Sequence, residues 1–353
     1  MAAGSMRARV LFWLKICLSV GLLWYLFTLI DLDRLLDQLR EVVPGYLLVA
    51  LLLLLAQIGI SSLKWQLILR SDGVLMPLPF LIKTYMIGNF LSLFLPTSFG
   101  GDIYRVLAVR GINRDLAKST SSVLFDRLSG VGALLSICMI AYLALPDQPY
   151  EPVVLTLYVL GVAAFLLASS ETAIGIINAS KVSLVRKIGK VLVSFRNYRR
   201  EPRKLTLIIL LSFVFQLNIV LINKVYTLSL GMEISFAVLM VIIPLIYLTE
   251  VLPISINGLG VRESAFGFFF VLIGHTIEDG LAVSLLVIGM RYLLGLLGGT
   301  LLLLTLITAR AGRPRVAGTP DANRRSRSLP TVDGGKATGG QHVSRHEESR
   351  TDA

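Results

Sequence analysis

Two helix-breaking turns of one kind sit inside strongly apolar sequence, and they restrict what this chain can fold into. The first is Leu95-Pro96-Thr97-Ser98-Phe99-Gly100-Gly101-Asp102, with Arg105 after it. The second is Leu252-Pro253-Ile254-Ser255-Ile256-Asn257-Gly258, with Gly260, Arg262 and Glu263 after it. Proline removes an amide donor and clashes with the preceding turn, and glycine relaxes the backbone. A broken helix at membrane depth is tolerated only where protein or a wet cavity covers the freed polar groups. Matching breaks in two halves of a membrane chain point to a transport site.

The membrane reading rests on the sequence around these turns. Of 353 residues, 55% are hydrophobic and 16% are charged, which no water-soluble domain matches. The net charge of +12 raises nucleic acid as a partner. The placement of the charges excludes it: basic residues cluster between apolar runs, where they set membrane orientation. Cys17 and Cys138 both lie in apolar runs and say nothing about redox compartment. The run at 11–30 follows Arg7, Arg9 and Lys15. It is too long for a signal-peptide core, and Asp31-Leu32-Asp33-Arg34 follows without a small-residue cleavage site, so it reads as a retained span.

Full spans are predicted near 11–30, 45–69, 119–145, 152–170, 205–230 and 281–308. The basic N-terminus reads as cytoplasmic. The loop 31–44 carries Asp31, Asp33, Asp37 and Glu41 and reads as outside. Lys64, Arg70 and Lys83 read as inside, as do Arg105, Arg110, Arg114 and Lys118. Asp147 and Glu151 mark an outer loop, 171–204 is the most basic inner loop, Glu278 and Asp279 are outside, and the tail after Arg310 is inside. The chain is therefore expected in the cytoplasmic (inner) membrane, multi-pass, with both termini cytoplasmic.

Because 64–83 and 102–118 both read as inside, the piece 80–101 should enter and leave by one face. By the same logic 236–274 enters from the outer face. Each half then holds two spans, a hairpin and a third span. Three crossings per half is odd, so the second half is inverted. The fold expected is all-α integral membrane, six full transmembrane helices plus two re-entrant hairpins in an inverted repeat; a conventional eight-helix chain is the alternative. Arg127-Leu128-Ser129-Gly130 on the third span parallels Arg291-Tyr292-Leu293-Leu294-Gly295 on the sixth. The membrane domain is placed at 1–308, with halves of about 7–145 and 152–308, and 309–353 is expected to be a disordered basic tail. The stretch 180–200 has apolar residues near helical spacing with a basic remainder, and reads either as an amphipathic helix on the inner leaflet or as a solvated linker.

Ionisable side chains at membrane depth are costly and face the bundle interior or a cavity. Here they are Asp102, Arg105, Asp126, Arg127, Lys224, Glu250, Arg262, Glu263 and Arg291. Arg291 lies roughly 15 Å down its helix, near the midplane. Its candidate partners are Glu250, Glu263, Asp126, Asp102, or a lipid phosphate, whose oxygens suit a guanidinium fork. The glycines of the turns, Gly100, Gly101, Gly258 and Gly260, should free backbone amides, and the helix arm after each turn adds its positive end. Candidate anion-binding residues are thus Arg105, Arg127, Arg262 and Arg291 with Ser98, Gly100, Gly101, Ser255, Gly258 and Gly260; Asp102, Asp126, Glu250 and Glu263 are their charge partners. The same pairs serve equally as locks between hairpin and span. Gly295 and Gly299 form a small-xxx-small pair suited to close helix packing. His275, His342 and His346 form no catalytic or metal-binding set, and no cofactor is expected.

The stretches Gly88–Asp102 with Arg105, Ser122–Gly130, and Glu250–Glu263 resemble the lysylphosphatidylglycerol synthase transmembrane-region family. The resemblance covers about 7–308. In the aminoacyl-phospholipid synthases of that family this region looks like a lipid flippase joined to a cytosolic aminoacyl-transferase domain; similar regions stand alone or join glycosyltransferases. After the last span only the tail remains here, so lysyl transfer is not expected and an enzyme is not the favoured class. The resemblance implies handling of an anionic lipid: a phospholipid, an aminoacylated one, or a polyprenyl-phosphate sugar carrier. It places Asp102, Arg105, Asp126, Arg127, Glu250, Arg262 and Glu263 on motif positions. The rival classes are a non-catalytic membrane subunit that recruits a cytosolic transferase, and an integral-membrane transferase using Asp126 or Glu250 as a base. A homo-oligomer stays open.

Overall fold

The computed structural model describes residues 2–94, 100–145, 155, 156, 158–160, 201–251, 255 and 258–311. The tips 95–99 and 252–254, the span 152–170 apart from five helical residues, the loop 171–200 and the tail from 312 fall outside these residues. Met1–Ile307 form one compact unit.

The chain is an all-α membrane protein. Its described helices are α1 (Ala2–Leu29), α2 (Leu32–Arg40), α3 (Pro44–Ser71), α4 (Leu78–Phe94), α5 (Gly100–Asn113), α6 (Leu116–Ala144), α7 (Pro202–Ser229), α8 (Phe236–Val251), α9 (Val261–Leu272) and α10 (Ile277–Ala311). Four of them, α3, α6, α7 and α10, are long and apolar enough to cross a bilayer alone. At about 1.5 Å per residue, the 28 residues of α3 exceed the ~30 Å hydrocarbon core. The C-terminal part of α1, Ile16–Leu29, continues into α2 through an 89° bend and would make a fifth span if the pair is counted as one.

Local chemistry sets the ends. Asp31 caps α2 by accepting from the amides of Asp33 and Arg34, and Asp115 caps α6 by accepting from Ala117 and Lys118. Pro44 and Pro202 stand in the first turns of α3 and α7, where a missing amide costs nothing.

The two predicted hairpins are present as packed pairs of short helices. α4 with 17 residues and α8 with 16 fall short of a full span, and each packs against the helix that follows it, α5 and α9. In the first pair the backbones nearly touch. A Cβ on Gly101 would lie 2.6 Å from the Gly88 carbonyl oxygen, so neither arm tolerates a side chain there. In the second pair Gly258 (φ +79) and Gly260 (φ +81) hold the chain in the left-handed region as it enters α9.

α3 packs on α4 and α6, and α7 packs on α8. Tyr226 of α7 and Val283, Val287 and Met290 of α10 share one core with α8 and α9. Two of the long helices also reach across to a more distant short helix, α6 to α8 and α10 to α4. Cys138 and Ala141 of α6 pack on Val241 and Leu245 of α8. Gly298 and Gly299 of α10 lie against Met86 and Phe90 of α4. The Gly295/Gly299 pair thus serves close packing, with Gly295 on Leu93 of the same helix.

Candidate functional site

The first charged cluster forms where α3, α4, α5 and α6 meet. The Gly101 amide donates to Ser92 Oγ at 2.9 Å, which seats the first turn of α5 against α4. That fixes Asp102 and Arg105 on the face of α5 turned to α6. Asp102 accepts from Arg127 Nε at 2.9 Å and lies 3.3 Å from Arg105 Nη1. Asp126, one residue before Arg127 on α6, accepts from Arg105 Nη2 at 2.8 Å and from the Tyr85 hydroxyl at 2.7 Å. Its other oxygen lies 2.9 Å from Lys64 Nζ. The Arg105 guanidinium is stacked between aromatic rings, 4.2 Å from Trp65 and 3.9 Å from Tyr85, which are themselves edge-on at 5.6 Å. Arg105, Lys64, Asp102 and Asp126 are all buried, whereas the Arg127 side chain is 58% exposed.

The second cluster lies at α8, α9 and α10. Glu263, in the first turn of α9, accepts from the Gly260 amide at 2.6 Å and from Arg262 Nη2 at 2.7 Å. Glu250, near the end of α8, accepts from Arg291 Nη2 at 2.9 Å and lies 3.8 Å from Arg262 Nη1. Tyr247 places its ring 5.9 Å from the Arg291 guanidinium. Arg262 and Glu263 are buried, and the Arg291 side chain is 35% exposed. Of the four partners expected for Arg291, Glu250 is the one it meets.

Two expectations need correction. Gly101 and Gly260 do not offer free amides, because Ser92 and Glu263 take them. Lys64 is not a juxtamembrane loop residue. It sits inside α3, 3% exposed, and also donates to the Asp126 carbonyl at 3.1 Å. Its signal was present in the sequence, since Trp65-Gln66-Leu67-Ile68-Leu69 continues the apolar run past it. Tyr85, Trp65 and Tyr247 gave no comparable signal, because aromatic residues on apolar helices serve packing far more often.

Ser255 is buried at a bend, and Ser98 lies outside the described residues. Lys224 joins neither cluster and donates to the Ile234 carbonyl at 2.6 Å. Among the described residues no ion pair links the two clusters. Gln216 of α7 donates to the Gly130 carbonyl beside the first cluster, and it lines with Tyr247 a cavity of about 10 Å³ between α6, α7 and α8. That space suits one water and is far too small for a lipid headgroup. A second cavity, of about 330 Å³, opens between the α3–α4 turn and the α5–α6 turn, lined in part by Asn113, Asp115 and Lys118. Among the described residues no three His, Cys, Asp or Glu side chains gather as metal ligands would.

The arrangement suits anion binding better than proton transfer. Asp126 is bracketed by two cations and a phenol, so it is a poor general base. Arg127 and Arg291 are the two partly exposed guanidiniums, and each is paired with a carboxylate, Asp102 for Arg127 and Glu250 for Arg291.

No curated protein matches the chain. The family model described as the lysylphosphatidylglycerol synthase TM region matches residues 12–299, a span that takes in both hairpins and all eight residues of the two charged clusters named from sequence. The chain therefore belongs to the lysylphosphatidylglycerol synthase TM-region family.

Proposed function

We propose that this protein moves an anionic lipid between the leaflets of the cytoplasmic membrane, with both termini on the cytoplasmic side. The observation that carries the reading is the matched pair of charged clusters, each built on a short-armed hairpin and its half's third span. Each buries one arginine, Arg105 or Arg262, and leaves another partly exposed, Arg127 or Arg291. Burying this many charges in apolar helices is expensive, and a hairpin needs no ion pair merely to pack. A polar track for a headgroup requires them. The lipid phosphate engages the exposed Arg127 while its tails stay in the bilayer, and two hairpins in an inverted repeat face opposite leaflets. Membership of a family named for a lipid synthase region supports the lipid class.

The test is lipid movement by purified protein in vesicles. Fluorescent phosphatidylglycerol in the inner leaflet should become accessible to an external quencher faster with protein than without. Arg127→Gln should slow that step. No protein-dependent movement of any anionic lipid would sink the proposal.

A further inference from the structure

The two clusters differ in charge, and the difference assigns them different tasks. In the first, Lys64, Arg105 and Arg127 face only Asp102 and Asp126 among the described residues. Three cations against two carboxylates leave one positive charge uncompensated. In the second, Arg262 and Arg291 face Glu250 and Glu263 and the balance is zero.

Both carboxylates of the first cluster are already ion-paired. Asp126 holds Lys64, Arg105 and Tyr85, and Asp102 holds Arg127 by two nitrogens and Arg105 by a third contact. An uncompensated charge in a low-dielectric site demands a counter-ion. The surplus cannot be relieved at Lys64 or Arg105, which are buried. It can be relieved at Arg127, which engages Asp102 through Nε and Nη2 and has no partner for Nη1 among the described residues.

We infer that the first cluster is a site for a phosphate group carrying a single net negative charge, that Lys64 sets this charge preference without touching the ligand, and that the second cluster is a self-neutral latch on its hairpin. The inference rests on the lipid reading above for its ligand and names the class more narrowly. A phosphodiester such as that of phosphatidylglycerol fits. A zwitterionic headgroup gains less, and an aminoacylated headgroup with net positive charge is disfavoured. A guanidinium edge matches phosphate oxygens in bidentate fashion.

Purified full-length protein in nanodiscs, probed by native mass spectrometry with phosphatidylglycerol, phosphatidylcholine and lysyl-phosphatidylglycerol, tests this. A unit charge about 10 Å away in an effective dielectric of about 20 changes affinity by about tenfold. Wild type should therefore favour phosphatidylglycerol over phosphatidylcholine by about that factor, and over lysyl-phosphatidylglycerol, which differs by two charges, by about a hundredfold. Lys64→Met should reduce the preference to about twofold with phosphatidylcholine binding unchanged. Asp102→Asn raises the surplus by one and should strengthen the preference, a gain that misfolding cannot mimic. Replacing Glu250 and Arg291 together by glutamine should leave the preference as in wild type. A preference that ignores Lys64, or that disappears with the second cluster, overturns the inference. Displacement of phosphatidylglycerol by millimolar inorganic phosphate overturns the lipid assignment of the site. If Lys64 governs binding while vesicles show no lipid movement, the transport reading fails and the site assignment stands. If lipid moves but Lys64→Met binds as wild type, the reverse holds.

Discussion

Asp126→Asn is the most informative single substitution for stability. The amide keeps the size of the carboxylate, so no cavity forms, and only charge and donor pattern change. The native carboxylate holds Lys64 at 2.9 Å and Arg105 at 2.8 Å, and accepts the Tyr85 hydroxyl at 2.7 Å. An asparagine oxygen can keep Tyr85, but its amino group then points donors at a cation. Breaking a buried pair while leaving its partner charged costs roughly 3–5 kcal/mol. For a chain longer than about 250 residues, about 2 °C of melting temperature is lost per kcal/mol, so a fall of about 6–10 °C is expected. Asp102→Asn should cost less. Its main partner, Arg127, is 58% exposed and can turn toward other acceptors or headgroups. Discounting for that exposure gives about 1–2 kcal/mol, or about 2–4 °C. Thermal unfolding in detergent, followed through the buried Trp65, reads both. The double variant Lys64→Met with Asp126→Asn removes one stranded cation and should recover part of the loss. An Asp126→Asn protein that melts within about 2 °C of wild type, or a double variant no more stable than Asp126→Asn alone, would refute the view that Asp126 is the keystone of this cluster.

Two further substitutions probe the packing that positions the clusters. Gly298→Ala drives a methyl into the Met86 carbonyl and should cost about 1–3 kcal/mol by thermal melting, whereas Gly21→Ala, with nothing within 4 Å of the new carbon, should be neutral. Gly260→Ala meets both a φ of +81 and the Ser19 carbonyl at 2.9 Å; it should loosen α1 from the start of α9, read as faster hydrogen exchange in both segments.

The readability of this chain was uneven, for physical reasons. Long apolar runs are strong signals, because a span must hide every backbone group along its whole length. That is why α3, α6, α7 and α10 coincide with predicted spans to within about four residues at each end. The hairpin arms were legible through Pro96, Pro253 and the glycines after them. The ionisable residues stood out because hydrocarbon makes each one costly, and all eight named at the hairpins and third spans do meet in two clusters. The partners were not legible. Nothing in the sequence indicates that Arg291 meets Glu250 forty-one residues earlier rather than Glu263, since that choice depends on how α8 and α10 are rotated. Lys64 was misplaced because a lysine near the end of an apolar run usually reaches the headgroups, and only the docking of α3 against α6 turns it inward. Free amides at Gly101 and Gly260 were expected from glycine alone, but the residues that consume them, Ser92 nine positions earlier and Glu263 three later, become visible only once the turns are folded.

The crossed packing of the halves bears on how two unequal clusters work together. The hairpin α4–α5 carries Asp102 and Arg105, yet its first arm is wedged against α10, which also carries Arg291. The hairpin α8–α9 carries Glu250 and Arg262, yet its first arm is wedged against α6, which also carries Asp126 and Arg127. Each third span therefore holds an ion pair to its own hairpin and a packed seam to the other. The seams are tight: Gly298 and Gly299 meet Met86 and Phe90 with no room for a methyl group. Close-packed contacts of this kind do not deform gradually, so one hairpin cannot shift without repacking the span that anchors the other cluster. On the proposed reading, an anion bound at the Nη1 edge of Arg127 shares that guanidinium with Asp102 and would weaken the tie between α5 and α6. Because α6 is also the wall behind α8, that loosening reaches the neutral cluster through side-chain packing alone. On the proposed reading, a surplus charge on one side and a balanced latch on the other are two parts of one arrangement, in which an anion bound at the first cluster would be felt at the second through the α6–α8 seam.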